Sequence, residues 1–200
     1  LVFFMADNGM NMGHHGIWGK GNGTFPQNMY EESVKVPFLA LLPGEENPGT
    51  VVSPMASQLD FYPTLMDLLG ISDPHVKDLP GTSMVPLLLE ANPEEEIHKD
   101  LFICEEYGSV RMIRTPRYKY VHYYPFGPHA FYDLEEDPGE LNNLYDDPAY
   151  DDLILDLHKR MEAWYNRYFD PAKDGSKVTG LGQLSALGEE RTKKQRFYID

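Results

Sequence analysis

The sequence predicts an α/β protein that carries a small α+β unit in its second half. Leu1–Met5 is a continuous apolar run followed by a polar turn, which is typical of a strand buried on both faces of a parallel sheet. Residues 55–69 place apolar side chains at approximately helical spacing. From about residue 100, short β-rich runs precede an amphipathic helix, an order that indicates an antiparallel meander with one helix packed against it.

Each element of the first hundred residues has a local signal. Residues 9–34 are rich in Gly, Asn and His and have no period, so they predict a long loop of the kind that is usually functional or disordered. Val36–Leu42 is a second apolar run and predicts a strand. In the helical segment, Pro63 suits the first turn and Gly70 suits the end of the helix. A connector rich in Pro and Gly then leads to a short apolar segment at Met84–Leu89.

The second hundred residues predict four strands, one helix and a tail. The predicted helix has a single apolar stripe about four turns long. We expect a sheet-bearing part at residues 1–99, the α+β unit at 100–170 and an extended tail at 171–200. The β-rich runs are Leu101–Tyr107, Ser109–Arg114, Arg117–Tyr123 and His129–Leu134, and the stripe consists of Leu153, Ile154, Leu157, Met161, Trp164, Tyr165 and Tyr168.

Composition excludes some classes of function. The 42% of hydrophobic residues is enough for a packed core, and the net charge of −15 argues against a nucleic-acid partner, which clustered Lys and Arg would have to hold. No apolar run approaches the length of a membrane span. The chain begins at Leu1 without an initiator methionine or a basic leader, so we expect a piece of a longer protein. The compartment therefore stays open between periplasmic or secreted and cytoplasmic.

The polar groups suited to chemistry concentrate between residues 7 and 20. Asp7 and Asn8 offer hard oxygen ligands for Ca²⁺ or Mg²⁺, directly after the first predicted strand. Lys20 offers a compact cation for an anionic oxygen, and His15 could donate to an anion or move a proton. Taken alone, Asp-Asn-Gly is also an ordinary turn sequence, so only the combination favours a site.

The order of motifs along the chain resembles the sulfatase family of the alkaline-phosphatase superfamily. The family pattern is a strand followed by Asp-Asn-Gly or Asp-His-Gly, then Gly-x-His-Gly with Lys five residues after that His, then Tyr-Glu-x-Ser-x-x-Val-Pro. The resemblance covers about residues 1–170. The matching segments are Phe3–Gly9, Gly13–Gly21, Tyr30–Pro37, Leu59–Leu65, Gly81–Leu88, Arg117–Tyr120 and Tyr132–Leu144.

The resemblance implies a fold and a role for each matching residue. The fold would be the end of an alkaline-phosphatase-like sheet sandwiched by helices, followed by the α+β subdomain. Asp7 and Asn8 would bind a divalent cation, usually calcium with Mg²⁺ as the alternative. Lys20 and His15 would be catalytic and substrate-binding residues for a small aryl, alkyl or sugar sulfate. The protein would be a sulfuric ester hydrolase.

The family's nucleophile, a formylglycine made from Cys or Ser in a Cys/Ser-x-Pro/Ala-x-Arg motif, has no match in this sequence. Cys104 lacks the following Arg. We therefore expect formylglycine and the other metal ligands in a missing N-terminal half, and no activity from the 200 residues alone. Two alternatives remain: a phosphonate or phosphate diesterase on the same scaffold, and a non-catalytic relative that acts as a binding module. Loss of Asp7 or Lys20 would have favoured the second.

Overall fold

The computed structural model describes residues 1–24, 26–42, 44, 49–89, 96–104, 110–124 and 127–170. Its contacts divide the chain into two compact units. The first unit contains Leu1–Met5 and Phe38–Leu101, and the second contains Ala6–Pro37 and the described residues from Phe102 onward. The mixture of helices and strands confirms the α/β class. The predicted tail lies outside the described residues, and the domain boundaries at 100 and 170 stay predictions.

In the first unit, strands β1 (Val2–Met5) and β4 (Phe38–Leu41) form an antiparallel pair. The second predicted strand is confirmed, but the parallel, doubly buried strand predicted at residues 1–5 is wrong. Phe3 packs against Phe38 and Phe61 on one face. The opposite face is between 58% and 65% exposed and consists of Val2, Phe4, Leu39 and Leu41. A continuous apolar run does not distinguish a doubly buried parallel strand from an antiparallel strand with one exposed face. The direction of pairing and the burial of each face depend on the neighbouring elements, not on the run itself.

The predicted helix is confirmed as α2 (Phe61–Leu69), which begins two residues before Pro63, the start that the sequence favours. A 3-10 turn at Gln58–Asp60 precedes it, and Ser57 and Asp60 cap that turn reciprocally. Because of this cap, helical structure begins before Pro63. Proline is tolerated in the first turn because the first amides of a helix have no intrahelical partner. Gly70 ends α2 in the left-handed region at φ 63°, as predicted.

Asp60 is the buried anchor of the first unit. Its carboxylate accepts hydrogen bonds from the backbone amides of Ser57 and Thr82, both at 2.7 Å, and lies 2.8 Å from Nε2 of His98. Next to Thr82, a Cβ on Gly81 would lie 2.0 Å from the carbonyl oxygen of Leu59, so only glycine fits. The side chain of one residue therefore joins α2 to the segments that precede and follow α3 (Val85–Leu89).

In the second unit, four strands form one sheet in the order β5 (Leu101–Cys104), β6 (Val110–Arg114), β7 (Tyr118–Tyr123) and β8 (Ala130–Asp133). Strands β6, β7 and β8 pair antiparallel, which confirms the predicted meander. The amphipathic helix is confirmed as α4 (Asp151–Tyr168). Its buried side chains pack with those of the sheet in one core that consists of Ile113, Tyr120, Phe131, Ile154, Leu157, Met161 and Tyr165.

The predicted loop forms the rest of the second unit. It contains two short paired strands, β2 (Asn11–Met12) and β3 (Trp18–Gly19), and the single helical turn α1 (Glu31–Val34). Met29 joins a second core cluster with Val110, Met112, Val121, Ala130 and Tyr132. None of the helices in the described part of the chain is long and apolar enough to cross a bilayer.

Three histidines meet in the second unit, where β7, the segment before β8 and α4 come together. The rings of His122 and His129 stack with centroids 4.0 Å apart, and His158 lies 4.9 Å from His122. Nδ1 of His122 is 2.6 Å from the hydroxyl of Tyr120. Burial lowers the pKa of His122 to about 3, and His129, His158 and Arg111 add to the shift because a second positive charge is unfavourable there.

This cluster predicts acid sensitivity. Between pH 6.5 and about 3, the unfolded chain binds a proton at His122 that the folded chain does not bind. The free energy of unfolding should therefore fall as the pH is lowered through this window, by up to about 1.4 kcal/mol per pH unit from this residue. Urea unfolding of the 200-residue chain at a series of pH values measures the slope. His122→Phe should flatten it, whereas His75→Asn at an exposed position should not. An equal slope in His122→Phe would contradict the prediction.

Candidate active site

Asp7 and Asn8 are held beside α1 by the glycine that follows them. The backbone amide of Gly9 donates to the carbonyl of Ser33 at 3.0 Å. A Cβ at Gly9 would lie 2.1 Å from the carbonyl oxygen of Glu32, so any larger residue would push the chain away from α1. The carboxylate of Asp7 is exposed and accepts the backbone amide of Asn8 at 2.9 Å. The Asp-Asn-Gly sequence therefore forms a turn packed against α1.

A buried amide network fixes the loop around Lys20. Nδ2 of Asn11 donates to Oγ of Ser33 at 2.6 Å, and that hydroxyl donates to Oδ1 of Asn28 at 2.6 Å. Asn11 also reaches the carbonyl of Gly19 at 3.4 Å, and Asn28 reaches that of Gly21 at 3.2 Å. Because these carbonyls lie on either side of Lys20, buried side chains hold its backbone from both directions.

Lys20 itself presents an exposed ammonium group. Its carbonyl accepts the amide of Gly23 at 2.8 Å, but its side chain forms no ion pair with any residue in the described ranges. A lysine whose backbone is fixed and whose charge is not neutralised by these residues is suited to bind an anionic oxygen.

His15 lies in the same loop and is packed against α1. Its ring stacks on Tyr30 with centroids 3.6 Å apart and planes 6° apart. Nε2 of His15 is 3.8 Å from Oε2 of Glu32, and the His15 side chain is only 11% exposed. The neighbouring His14 is exposed and its Nδ1 accepts the amide of Met12 at 3.4 Å. The structure therefore distinguishes the two histidines: His15 is packed and His14 is not.

A buried lysine anchors α1 to the sheet. Nζ of Lys119, on β7, lies 2.7 Å from Oε1 of Glu31, 2.7 Å from Oε1 of Glu140 and 2.9 Å from the carbonyl of Met29. Lys119 is fully buried, and Oε2 of Glu140 also accepts the backbone amide of Glu31 at 2.6 Å. The site loop is thus tied to the sheet by charge as well as by packing.

The two carboxylates around Lys119 respond differently to burial. Burial alone would raise the pKa of Glu31, but Lys119 and Arg114 outweigh it and hold that pKa below its usual range. Burial raises the pKa of Glu140, and Lys119 only partly offsets it. Of the two carboxyl groups that contact Lys119, Glu31 therefore has the lower pKa and Glu140 the higher.

The predicted site residues Asp7, Asn8, His15 and Lys20 all lie in this one loop. Their roles as metal-binding and substrate-binding residues stay predictions. The sequence reasoning did not identify the side chains that hold the loop: Asn11, Asn28, Tyr30, Glu31, Glu32, Lys119 and Glu140. Tyr30–Glu32, Lys119 and Glu140 lie inside the motifs that carried the resemblance, but no spacing indicated that these three motifs meet.

The donor chemistry of Asp7 and Asn8 fits a divalent cation as part of its ligand shell. A carboxylate and an amide oxygen are the hard donors that calcium and magnesium prefer, and calcium takes six to eight of them. Within the described residues, no group of three or more His, Cys, Asp and Glu side chains is placed to hold a metal ion. Asp7 and Asn8 would therefore supply two of the several ligands that such a cation needs.

Known proteins of one family are similar to this chain. Residues 13–167 match the family model described as N-sulphoglucosamine sulphohydrolase, C-terminal. The Delta 4,5-hexuronate-2-O-sulfatase of Bacteroides thetaiotaomicron is 32% identical over 180 residues, covering 85% of this chain and 35% of that protein. The structure of BT4656 in complex with its substrate D-glucosamine-2-N,6-O-disulfate matches with a TM-score of 0.72 at 27% identity, over 88% of this chain and 35% of that one.

A phosphonate monoester hydrolase of Agrobacterium radiobacter also matches, with a TM-score of 0.70 at 27% identity, over 85% of this chain and 36% of that one. The chain belongs to the sulfatase family of the alkaline phosphatase superfamily and corresponds to its C-terminal part. It spans about a third of the length of the curated relatives it matches. Enzymes of this family generally use a divalent metal ion and formylglycine.

The buried ion cluster predicts a large loss of stability in Lys119→Met. Removing the lysine leaves Glu140 buried without the lysine's charge and leaves Glu31 with Arg114 at 3.5 Å. Breaking a buried ion pair typically costs about 3–5 kcal/mol of unfolding free energy. Chemical unfolding of the 200-residue chain measures this loss. Arg160→Met is the matched control, because Arg160 pairs with Asp156 on the surface of α4 and such pairs contribute about 0.3–0.5 kcal/mol. Adding Glu140→Gln should recover part of the loss, and equal costs for the two single variants would contradict the cluster's role.

Proposed function

We propose that this chain forms part of the active site of a sulfuric ester hydrolase whose remaining residues lie in a preceding segment of a longer protein. The observation that carries this proposal is Lys20 itself, in the same loop as Asp7 and Asn8. Its backbone is held on both sides, and its exposed ammonium forms no ion pair with any residue that the structure describes. Membership of the sulfatase family supports it. The substrate would be a small aryl, alkyl or sugar sulfate, and we expect no turnover by the 200 residues alone.

Each loop residue has a distinct role in this proposal. Asp7 and Asn8 would hold the divalent cation, for which calcium suits the hard oxygen donors. Lys20 would neutralise the charge that develops on the sulfuryl oxygens or the bridging oxygen during transfer. His15 would contact the substrate beside them and accept or donate a proton. The cation would add positive charge at the sulfuryl group, and formylglycine from the preceding segment would supply the nucleophile.

A second candidate reaction is the hydrolysis of a phosphonate or phosphate ester at the same site. The similarity to the phosphonate monoester hydrolase of Agrobacterium radiobacter favours it, with a TM-score of 0.70. The anion-binding roles of Lys20 and the cation would be unchanged, because both substrates present a tetrahedral group with anionic oxygens. Comparing an aryl sulfate with an aryl phosphonate on the longer enzyme separates the two candidates.

Lys20→Ala in the longer enzyme should lower turnover strongly. The transition state would lose one fixed electrostatic partner, which typically costs about 100- to 1000-fold, or roughly 2.7–4 kcal/mol. The measurement is kcat/KM with an aryl sulfate. Lys159→Ala is the control, since Lys159 is an exposed lysine of the same unit on α4. A Lys20→Ala enzyme within about twofold of the parent would remove Lys20 from the mechanism.

Substitution of the two proposed metal ligands should weaken calcium binding in a defined order. Asp7→Ala removes a charged ligand and Asn8→Ala a neutral one, so the first should raise the calcium dissociation constant more, because ligand charge sets affinity. Calorimetric titration of the metal-free longer enzyme with calcium measures both. Asp67→Ala, at an exposed position of α2, should leave the constant unchanged. Wild-type affinity in both variants would show that this turn does not bind the cation.

A further inference from the structure

His15 has an unusual backbone for a residue with a packed side chain. Its φ is 53°, in the left-handed region that non-glycine residues adopt uncommonly. Such a conformation persists only where surrounding contacts enforce it, and it is concentrated at functional sites. The flanking residues Gly13 and Gly16 also have positive φ, at 98° and 73°. The turn therefore directs the imidazole of His15 toward α1 at a cost in backbone energy.

The imidazole ring contacts two residues, Tyr30 directly before α1 and Glu32 in its first turn. Tyr30 stacks on its face at 3.6 Å, which fixes the plane of the imidazole. Glu32 lies at its edge, 3.8 Å from Nε2. Between them, Glu31 is clamped by Lys119, so both contacts project from a segment anchored to the sheet. The plane and direction of the imidazole are consequently set by two side chains whose backbone is anchored to the sheet through Glu31.

One carboxylate oxygen of Glu32 accepts no hydrogen bond from the residues that the structure describes. This oxygen, Oε2, is buried, and a buried acceptor without a partner is costly unless a donor is close. Nε2 of His15 is 3.8 Å away, slightly longer than a hydrogen bond, and hydrogen bonds at catalytic sites often shorten only when substrate is bound. Nδ1 of His15 makes no hydrogen bond to a described residue.

We propose that Glu32 is a positioning residue that keeps the Nε2–H of His15 directed at its own carboxylate, so that Nδ1 is the atom presented to the substrate. A neutral imidazole has one N–H and one lone pair, so a proton fixed on Nε2 leaves the lone pair on Nδ1. His15 would then accept a proton or a hydrogen bond at Nδ1, not donate one, in its neutral form. A carboxylate that orients histidine through its other nitrogen is the same arrangement that second-shell carboxylates provide in metal sites.

The tautomer of His15 tests this inference without reference to activity. Long-range ¹⁵N–¹H correlation spectra of the 200-residue chain at about pH 8.5, where an ordinary imidazole is neutral, distinguish the Nε2–H from the Nδ1–H form. We expect the Nε2–H form at His15, and a shift toward a mixture in the isosteric Glu32→Gln. The exposed His14 is the internal control and should keep its spectrum in both chains. An Nδ1–H form in the parent chain, or no change in Glu32→Gln, would overturn the proposal.

The kinetic consequence rests on the proposed function. In the longer enzyme, Glu32→Gln should reduce kcat by about 10- to 100-fold, the usual effect of removing a histidine's orienting partner. KM should stay within about twofold, because a residue that acts through His15 would not itself contact the substrate. His14→Asn is the control and should retain the parent kcat. If the parent chain shows the predicted tautomer but His15→Ala keeps full activity, Glu32 orients His15 and the proposed catalytic role of His15 is refuted. Loss of activity in His15→Ala but not in Glu32→Gln would refute the positioning role.

Discussion

The second unit depends on one buried charge, that of Lys119. Its ammonium is fully removed from solvent, so its desolvation must be offset by Glu31, Glu140 and the carbonyl of Met29 at 2.7 to 2.9 Å. These partners come from positions 29–31 and 140, which are far apart in sequence, so Lys119 joins the loop, the sheet and the segment after it. Separating them would leave a buried charge without its partners, which is strongly unfavourable.

The residues of the candidate site are held in place through the contacts of Lys119. Glu31 lies between Tyr30 and Glu32, which hold His15, and Ser33 belongs to the hydrogen-bonded network that fixes the carbonyls on either side of Lys20. The loop has very little regular secondary structure, so side-chain hydrogen bonds and close glycine contacts perform the task that strands and helices perform elsewhere. A site built in this way is sensitive to single buried substitutions that do not touch the substrate.

The first unit is organised around a different buried carboxylate. Asp60 caps the turn before α2 and also binds the backbone at Thr82 and the ring of His98. Its β1–β4 pair leaves Val2, Phe4, Leu39 and Leu41 exposed on one face. A contiguous apolar face of this kind is typical of surfaces that contact other protein.

The sequence by itself determined the elements whose signals are local. The stripe from Leu153 to Tyr168 gave α4, Gly70 gave the end of α2, and the motif order gave the family, because periodicity and turn chemistry act between near neighbours. Only the tertiary structure decided that β1 pairs antiparallel with β4, that His15 and not His14 is packed, and that Lys119 meets Glu31 and Glu140. Those features depend on contacts between residues distant in the chain, and the energies of such contacts leave no periodic trace in the sequence.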